Sequence, residues 1–571
     1  MGWLGPPLTV ASRRSRHLIH FSFAGPLNFL PDGVWGPTEA KTSRTGWSNP
    51  ALTAMFHFPM RLFRLKFTPA LLMSAALAVA ADKPNLLVIM ADDLGYGDVS
   101  AYGATALHTP HIDRLAADGL RFTSGYCTAS TCTPTRYSFL TGSYAFRRKG
   151  TGIAPPNGHL VVPPGALTIA GIAKAAGYRS AVIGKWHLGL GLEGKGPDWN
   201  GVIAPGPREL GFDYNFLLPT TNDRVPQVYV ENDRVLNLDS RDPLWVGNNR
   251  PGGEHPTGIS HRDTLKMDWS HGHNGTIHNG ISRIGFYTGG KTARFRDEDL
   301  ADKWIEKSNA WLEANRTRPF FLFFASHDLH VPRMPHERFQ GATTLGYRGD
   351  SIIQLDWCVG ELMKTLDRLG LAEKTLVVLC SDNGPVMDDG YKDGALEKRG
   401  NHRPGGPFRG GKYSVYEGGT RTPFITRWKG RIKPGVSTQV VATIDLAASL
   451  AAITGTPLPA GACLDSFDVS GALLGVPGAR GRAHLVQQDN GGTGNFGFRV
   501  GDWKLVRADT EEANNEIVER PLQRTSVPRF QLFDLAKDPA ETSNVLAQNP
   551  VIGDRLKAEL AALIAAGRTR P

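Results

Sequence analysis

Five cysteines in 571 residues are too few for a disulfide scaffold, and no two stand in a CxxC pair, so a structural zinc site of that kind is excluded. The odd count leaves at least one thiol unpaired or bonded to another chain. The sequence also lacks a lysine-rich tail, zinc-finger spacing and an aromatic RNP-type motif. Nucleic acid is therefore set aside as a partner. No internal repeat is present, which excludes a solenoid. No apolar run is long enough for a comfortable transmembrane span, so no stable membrane anchor is expected. What remains is ordinary globular composition, 41% hydrophobic and 21% charged, with a net charge of +10 that favours anionic partners in general. Length alone suggests two to four domains, although large α/β folds often run longer as one unit.

The N-terminal region carries an address. From Met60, the basic residues Arg61, Arg64 and Lys66 precede a short apolar stretch over 67–80 that ends in Ala78-Val79-Ala80. This order of basic, apolar and small-residue segments reads as a secretory signal peptide over 60–80, cleaved near Ala80. The mature protein is then expected outside the cytoplasm, secreted or periplasmic. Residues 1–59 show no sustained periodicity and read as an upstream leader from a start codon called too early.

Beyond the signal, helical patterns alternate with apolar strands. The apolar run Leu86 to Met90 reads as a buried parallel strand that opens into "ADDLGYGD". A helix, a stop at Gly177 and a strand follow in "LTIAGIAKAAGYRSAVIGK". The same order recurs before the strands at Phe320 to Ala325 and Thr375 to Cys380. The expected fold is α/β: a large mixed, mostly parallel sheet flanked by helices. After about residue 480 the texture changes to short strands and a closing helix. Residues 81–479 are read as the catalytic domain and 480–571 as a smaller C-terminal subdomain of antiparallel strands and a helix. The long Gly-rich segment 191–300 is expected to be functional.

Four strand ends carry reactive groups, and in open α/β sheets ligands sit beyond the carboxyl ends of strands. Asp92 and Asp93 follow the first strand; Asp382 and Asn383 follow "TLVVLC". Either pair alone is a common turn sequence. Together they crowd carboxylates, and two such charges about 4 Å apart repel by roughly 4 kcal/mol at an effective dielectric near 20. Three at one strand-end cluster need a cation, and all-oxygen ligands, one of them an amide, suit Ca²⁺ or Mg²⁺ rather than zinc. Lys185 and His187 in "GKWHLG" fall on the same side if that segment is extended. His327 and His330 follow another strand, and Lys412 lies in a Gly-rich loop. Cations beside a divalent metal describe a pocket for an oxyanion. In "STCTPTRYSFLTG", Thr133 is the expected helix N-cap and Pro134 the first helical residue, which would aim free N–H groups at that pocket. A low-pKa Cys132 nucleophile beside Arg136 is one reading, but a thiolate matches a hard cation poorly.

"CTPTR…LTG" resembles the signature of the formylglycine-dependent type I sulfatases of the alkaline phosphatase-like superfamily. From about Asn85 onward, "NLLVIMADDLGYGD", "GKWHLG", "SDNG", "GGKYSVYEGGTRTPF", "WKLV" and "LFDLAKDPAETSN" fall in that family's order. The resemblance implies that a maturing, formylglycine-generating enzyme converts Cys132 to formylglycine. The hydrated aldehyde attacks sulfur through one hydroxyl, and the other then ejects sulfate from a sulfated enzyme. It further implies Ca²⁺ bound by Asp92, Asp93, Asp382, Asn383 and the modified Cys132. Arg136 would steady the diol, Lys185 and Lys412 would grip sulfate, His187 would act as base and His330 as acid for the leaving alcohol. Thr221 falls where the family often has an assisting serine. The expected activity is hydrolysis of aryl or carbohydrate sulfates, with a phosphodiesterase or phosphonate hydrolase, or a non-catalytic sulfated-glycan binder, as the alternatives. The substrate is then a sulfated small molecule or glycan, with Asp223, Arg224, His402 and Arg403 as candidate sugar contacts.

Overall fold

The computed structural model describes residues 83–489, 495–508 and 528–570. The leader and signal assignments of 1–59 and 60–80 lie outside the described residues. A ten-stranded sheet dominates. Its strands, in chain order, are β1 (Asn85–Ala91), β2 (Leu120–Tyr126), β3 (Arg179–Lys185), β4 (Tyr214–Leu218), β5 (Val230–Glu231), β6 (Arg234–Val235), β7 (Phe320–Ala325), β8 (Thr375–Ser381), β9 (Phe424–Arg427) and β10 (Gly435–Ala442). The spatial order is β10-β2-β9-β8-β1-β7-β3-β4-β5-β6. β8, β1, β7, β3 and β4 run parallel, β9 is antiparallel to both its neighbours, and β5 and β6 form an antiparallel edge. The sheet is mixed and mostly parallel, as the alternating sequence pattern requires.

Burial explains why β1 reads as an unbroken apolar run. Leu86, Val88 and Met90 join one core, while Leu87 and Ile89 join the core on the opposite face. Strand side chains alternate faces, so a strand covered on both sides has no polar position to spare. Helices α1 (Pro110–Ala117), α2 (Cys132–Thr141), α3 (Ile169–Ala175), α4 (Leu300–Asn315), α5 (Gly346–Arg368) and α6 (Leu446–Thr454) supply that cover. Thr168 caps α3 by accepting from Gly171 N–H at 3.1 Å. Gly184 shows what close strand packing demands. It has φ of +114°, and a Cβ there would lie 1.9 Å from the Ala325 carbonyl oxygen.

A four-stranded antiparallel sheet follows: β11 (His484–Gln488), β12 (Phe496–Val500), β13 (Trp503–Arg507) and β14 (Phe530–Asp534), with the closing helix α7 (Pro550–Ala565). Its apolar face shares a core with Tyr126, Ala442 and Ile444 of the main body. A buried ion cluster reinforces the join: Lys504 Nζ lies 3.0 Å from Glu417 and 2.9 Å from Glu541. No helix among the described residues is long and apolar enough to cross a membrane.

Candidate active site

The parallel register brings four loops to one edge of the sheet. Met90 of β1 is level with Ala325 of β7 and Cys380 of β8, and Ala325 is level with Gly184 of β3. The residues that follow each strand therefore meet: Asp92 and Asp93, Lys185 and His187, His330, and Asp382 with Asn383. All are buried. Backbone bonds tie the loops together, with Asp92 N–H donating to Asp328 O at 2.8 Å and Asp382 N–H to Ala91 O at 3.1 Å.

Helix α2 enters this cluster by its N-terminus, but two residues earlier than the sequence suggested. Thr131, in extended conformation, is the N-cap and Cys132 is the first helical residue. Thr133 is inside the helix. Its hydroxyl donates to His187 O at 2.9 Å and accepts from Ala154 N–H at 3.1 Å, so it serves the neighbouring loop and not the cap. Nor is the segment after β3 extended, because His187 has φ of +52°. That left-handed turn, uncommon for a non-glycine residue, folds the imidazole back onto Cys132.

His187 is held in one tautomer. Nε2 lies 3.1 Å from the Ala154 carbonyl, which can only accept, so Nε2 carries the hydrogen. Nδ1 therefore presents a lone pair to Cys132 Sγ, 3.2 Å away. Burial and then Lys185 push the His187 imidazolium well below its ordinary 6.5, which keeps that lone pair available. Burial likewise raises the Cys132 thiol above 9.0. A thiol raised in this way is not a low-pKa thiolate, and the cysteine-nucleophile reading loses its basis. All five cysteines are buried and unpaired.

Charges interlock around this pair. Arg136 reaches past Cys132 to Asp382, with Nε and Nη2 at 2.9 and 2.8 Å from Oδ2, and donates to Lys185 O at 2.9 Å. Lys185 pairs with Asp92. Lys412 Nζ lies 2.9 Å from Asp93 and 2.8 Å from Asp389. Burial pulls the Lys412 ammonium down, but Asp389 and then Asp93 outweigh it and hold it well above 10.5. Burial, then Asp382, push the Asp92 carboxyl well up. The sequence argument that three crowded carboxylates need a cation is thus met partly by Arg136, Lys185 and Lys412. Two buried acceptor oxygens still lack a hydrogen-bond partner, Asp92 Oδ1 and Asn383 Oδ1. Unpaired buried oxygens among acids fit a hard cation with oxygen ligands. Asp92, Asp93 and His330 offer ligand atoms within 4.8 Å of one another, a grouping that brings in His330, which the sequence had not put among the ligands.

His330 Nδ1 donates to Val331 O at 2.8 Å, leaving Nε2 as its open face. Burial, Lys185 and Lys412 push it well below 6.5. His327 is not brought in; it accepts from Trp304 Nε1 at 3.1 Å in the core beyond. Of the candidate sugar contacts, Thr221 and Asp223 are buried and bonded to each other, and Arg224 Nη1 lies 2.8 Å from Asp223 with its side chain 15% exposed. His402 is buried, with Nε2 2.9 Å from Asp98, a carboxylate that also receives both Arg348 Nη groups at 2.7 and 2.6 Å. Arg403 is exposed.

Three participants escaped the sequence reading. His273 Nε2 lies 3.0 Å from Asp223, and its Nδ1 donates to His271 O at 2.8 Å. Both ring nitrogens face acceptors. Asn222 Nδ2 donates to His330 O and Pro332 O, both at 3.1 Å, fixing the histidine loop. Asp389 accepts from Lys412 and from Tyr413 OH at 2.9 Å. The acid pair in "VMDDG" and the histidines in "SHGHNG" were the only signals, and neither has a period or spacing that points to a site.

This fold and this cluster define an enzyme of the sulfuric ester hydrolase class. The chain belongs to the sulfatase family, whose model matches residues 84–456. It is 46% identical over 490 residues to an N-acetylgalactosamine-6-O-sulfatase of Bacteroides thetaiotaomicron, covering 86% of this chain and 94% of that protein. It is 33% identical over 485 residues to human arylsulfatase A, covering 83% and 86%. A solved 6S-sulfatase structure, described under the metabolism of multiple glycosaminoglycans by B. thetaiotaomicron, superposes with a TM-score of 0.81 at 45% identity, covering 85% of this chain and all of that one.

Proposed function

We propose that the protein is a calcium-dependent, formylglycine-bearing sulfatase acting on sulfated sugars, with a 6-O-sulfated N-acetylhexosamine as its leading substrate. The observation that carries the reading is the His187 lone pair directed at residue 132 beside orphaned carboxylate and amide oxygens. Asp92, Asp93, Asp382, Asn383 and the side chain at 132 would hold Ca²⁺. A formylglycine there supplies an oxygen nucleophile, and the cation supplies positive charge against the sulfate oxygens. Among the chain's own residues, Lys185 and Lys412 bind the sulfate oxygens. His187 Nδ1 takes a proton from the side chain at 132; His330, with its one hydrogen on Nδ1 in the free site, gains a second on Nε2 once the bound sulfate offsets Lys185 and Lys412, and delivers it to the leaving alcohol oxygen. Arg136 holds Asp382 in place. Arg224, steadied by Asp223 and Thr221, faces the sugar.

The choice of sugar rests on the 46% identity to the N-acetylgalactosamine-6-O-sulfatase. We place the catalytic domain at 81–479 and the C-terminal subdomain beyond it, and we assign the mature protein to the periplasm or the exterior, after maturation by a formylglycine-generating enzyme. Sulfate release from a panel of sulfated monosaccharides tests the reading. The 6-O-sulfated N-acetylhexosamine should be turned over best; turnover confined to sulfates at other positions contradicts it.

A further inference from the structure

The segment "RGNHRPGG", from which His402 and Arg403 were expected to meet a sugar, lines a cleft together with Pro385 and Met387, which follow Asn383. Its volume is about 580 Å³, and Arg399, Asn401, His402, Arg403, Pro385 and Met387 are among the residues lining it. No carboxylate lines it. Arg399, Asn401 and Arg403 are exposed. Among the described residues, neither arginine side chain makes an ion pair or a hydrogen bond. Elsewhere in this chain the half-exposed Arg338 and Arg262 pair with acids at 2.8 and 2.7 Å.

The cleft is rigidly joined to the active site. Pro385 follows Asn383 by two residues, and its carbonyl accepts from Lys412 N–H at 2.9 Å. The carbonyls of Val386 and Met387 are held by Arg333 at 2.8 and 3.1 Å. On the other side, His402 is fastened to Asp98, and Gly97 N–H donates to Pro404 O at 2.7 Å. The loop after Asp382 and Asn383 thus walls the cleft, and the loop after Asp92 and Asp93 anchors the segment that forms its other wall. His402, expected from sequence to meet the sugar, is the peg that fixes the arginines' loop.

We infer that this cleft is a subsite for an anionic group, a carboxylate or a sulfate, on the sugar next to the one bearing the scissile sulfate. The inference rests on the sulfated-sugar reading above. A guanidinium presents a planar fork that suits the paired oxygens of either anion, and Arg399 and Arg403 offer two. A polymer carrying acidic sugars would then be held by its neighbouring residue as well as by the scissile sulfate.

The test compares four substrates: the 6-O-sulfated N-acetylhexosamine alone, and the same sugar joined to a uronate, to a sulfated hexose or to a neutral hexose. In the unaltered enzyme, kcat/KM should favour one or both acidic partners over the neutral one; which of them gains identifies carboxylate or sulfate as the group read. Arg399→Ala should remove that advantage, about tenfold and mainly through KM, a loss within the range of one charge-assisted pair. It should leave the monosaccharide unchanged, which also verifies folding. Arg399→Lys should restore part of the advantage. Turnover of all four with no preference for acidic partners, or an equal loss on all four in Arg399→Ala, overturns the subsite alone. Turnover of an aryl sulfate with none of the four sugars overturns the sugar reading and the subsite with it.

Discussion

His187 donates from Nε2 to the Ala154 carbonyl, and every consequence for its chemistry follows from that bond. The opposite nitrogen is left bare and faces residue 132. Replacing His187 with Ala should depress turnover of sugar and nitrophenyl sulfates alike, because the proton it accepts belongs to the enzyme's own side chain. His330 should behave differently. Its Nε2 serves the leaving group, and a nitrophenolate departs without a proton, whereas a sugar alkoxide does not. His330→Ala should therefore lower sugar-sulfate turnover about 10²–10⁴-fold more than nitrophenyl-sulfate turnover, the usual range for general acid catalysis. Equal losses on both substrates would make His330 a sulfate or cation ligand only. These two histidines, like the acids at the ends of β1 and β8, could be picked out in the sequence because each lies within five residues of the end of an apolar strand. His273 was not. It meets Asp223 from 50 positions away through an irregular loop, and no local pattern encodes such a pairing.

At the scale of elements, the strands were the most legible part. β7 was read at its observed bounds and β1 and β8 within a residue, since strands buried on both faces have to be continuously apolar. The start of α2 was less so. "STCTPT" offers Ser130, Thr131 and Thr133 as caps, and Pro134 is tolerated anywhere in the first turn, so tertiary demands on Thr133 decided the register. Close strand contact makes a prediction here. Gly184→Ala combines a left-sided φ with a 1.9 Å clash against Ala325 O, and should destabilise the fold and uncouple β3 from β7. Thermal unfolding checks it; an unchanged midpoint would show that the two strands separate freely. The Lys504 clamp makes another. Lys504→Met leaves Glu417 and Glu541 buried together and should cost about 3–5 kcal/mol in a denaturant melt, the range for breaking a buried pair. Burial raises the Glu541 carboxyl from 4.5 to about 7, with Lys504 opposing. A carboxyl raised on folding binds its proton more tightly in the native state, so its contribution is complete below pH 4.5 and lost as pH rises through 7. Glu541→Gln should flatten stability across that interval; an unchanged slope would mean another group titrates there.

For the whole molecule, a net charge of +10 gave only a preference for anions, while the order of motifs along the chain indicated which anion. What the order of motifs could not supply was the internal balance of charge, in which Arg136, Lys185 and Lys412 each answer a buried acid. That balance predicts how the site fails. Asp382→Ala should free Arg136, weaken calcium binding in a calorimetric titration and abolish turnover; a fully active variant with unchanged calcium affinity would remove the metal site from this account. The central claim concerns residue 132 itself, whose thiol is buried, raised in pKa and faced by the His187 lone pair. Mass spectrometry of the peptide containing residue 132, taken from a preparation of measured sulfatase activity, tests that claim most directly. The account predicts the aldehyde or its hydrate at Cys132 in proportion to activity. Full activity with an unmodified thiol at that position would contradict it.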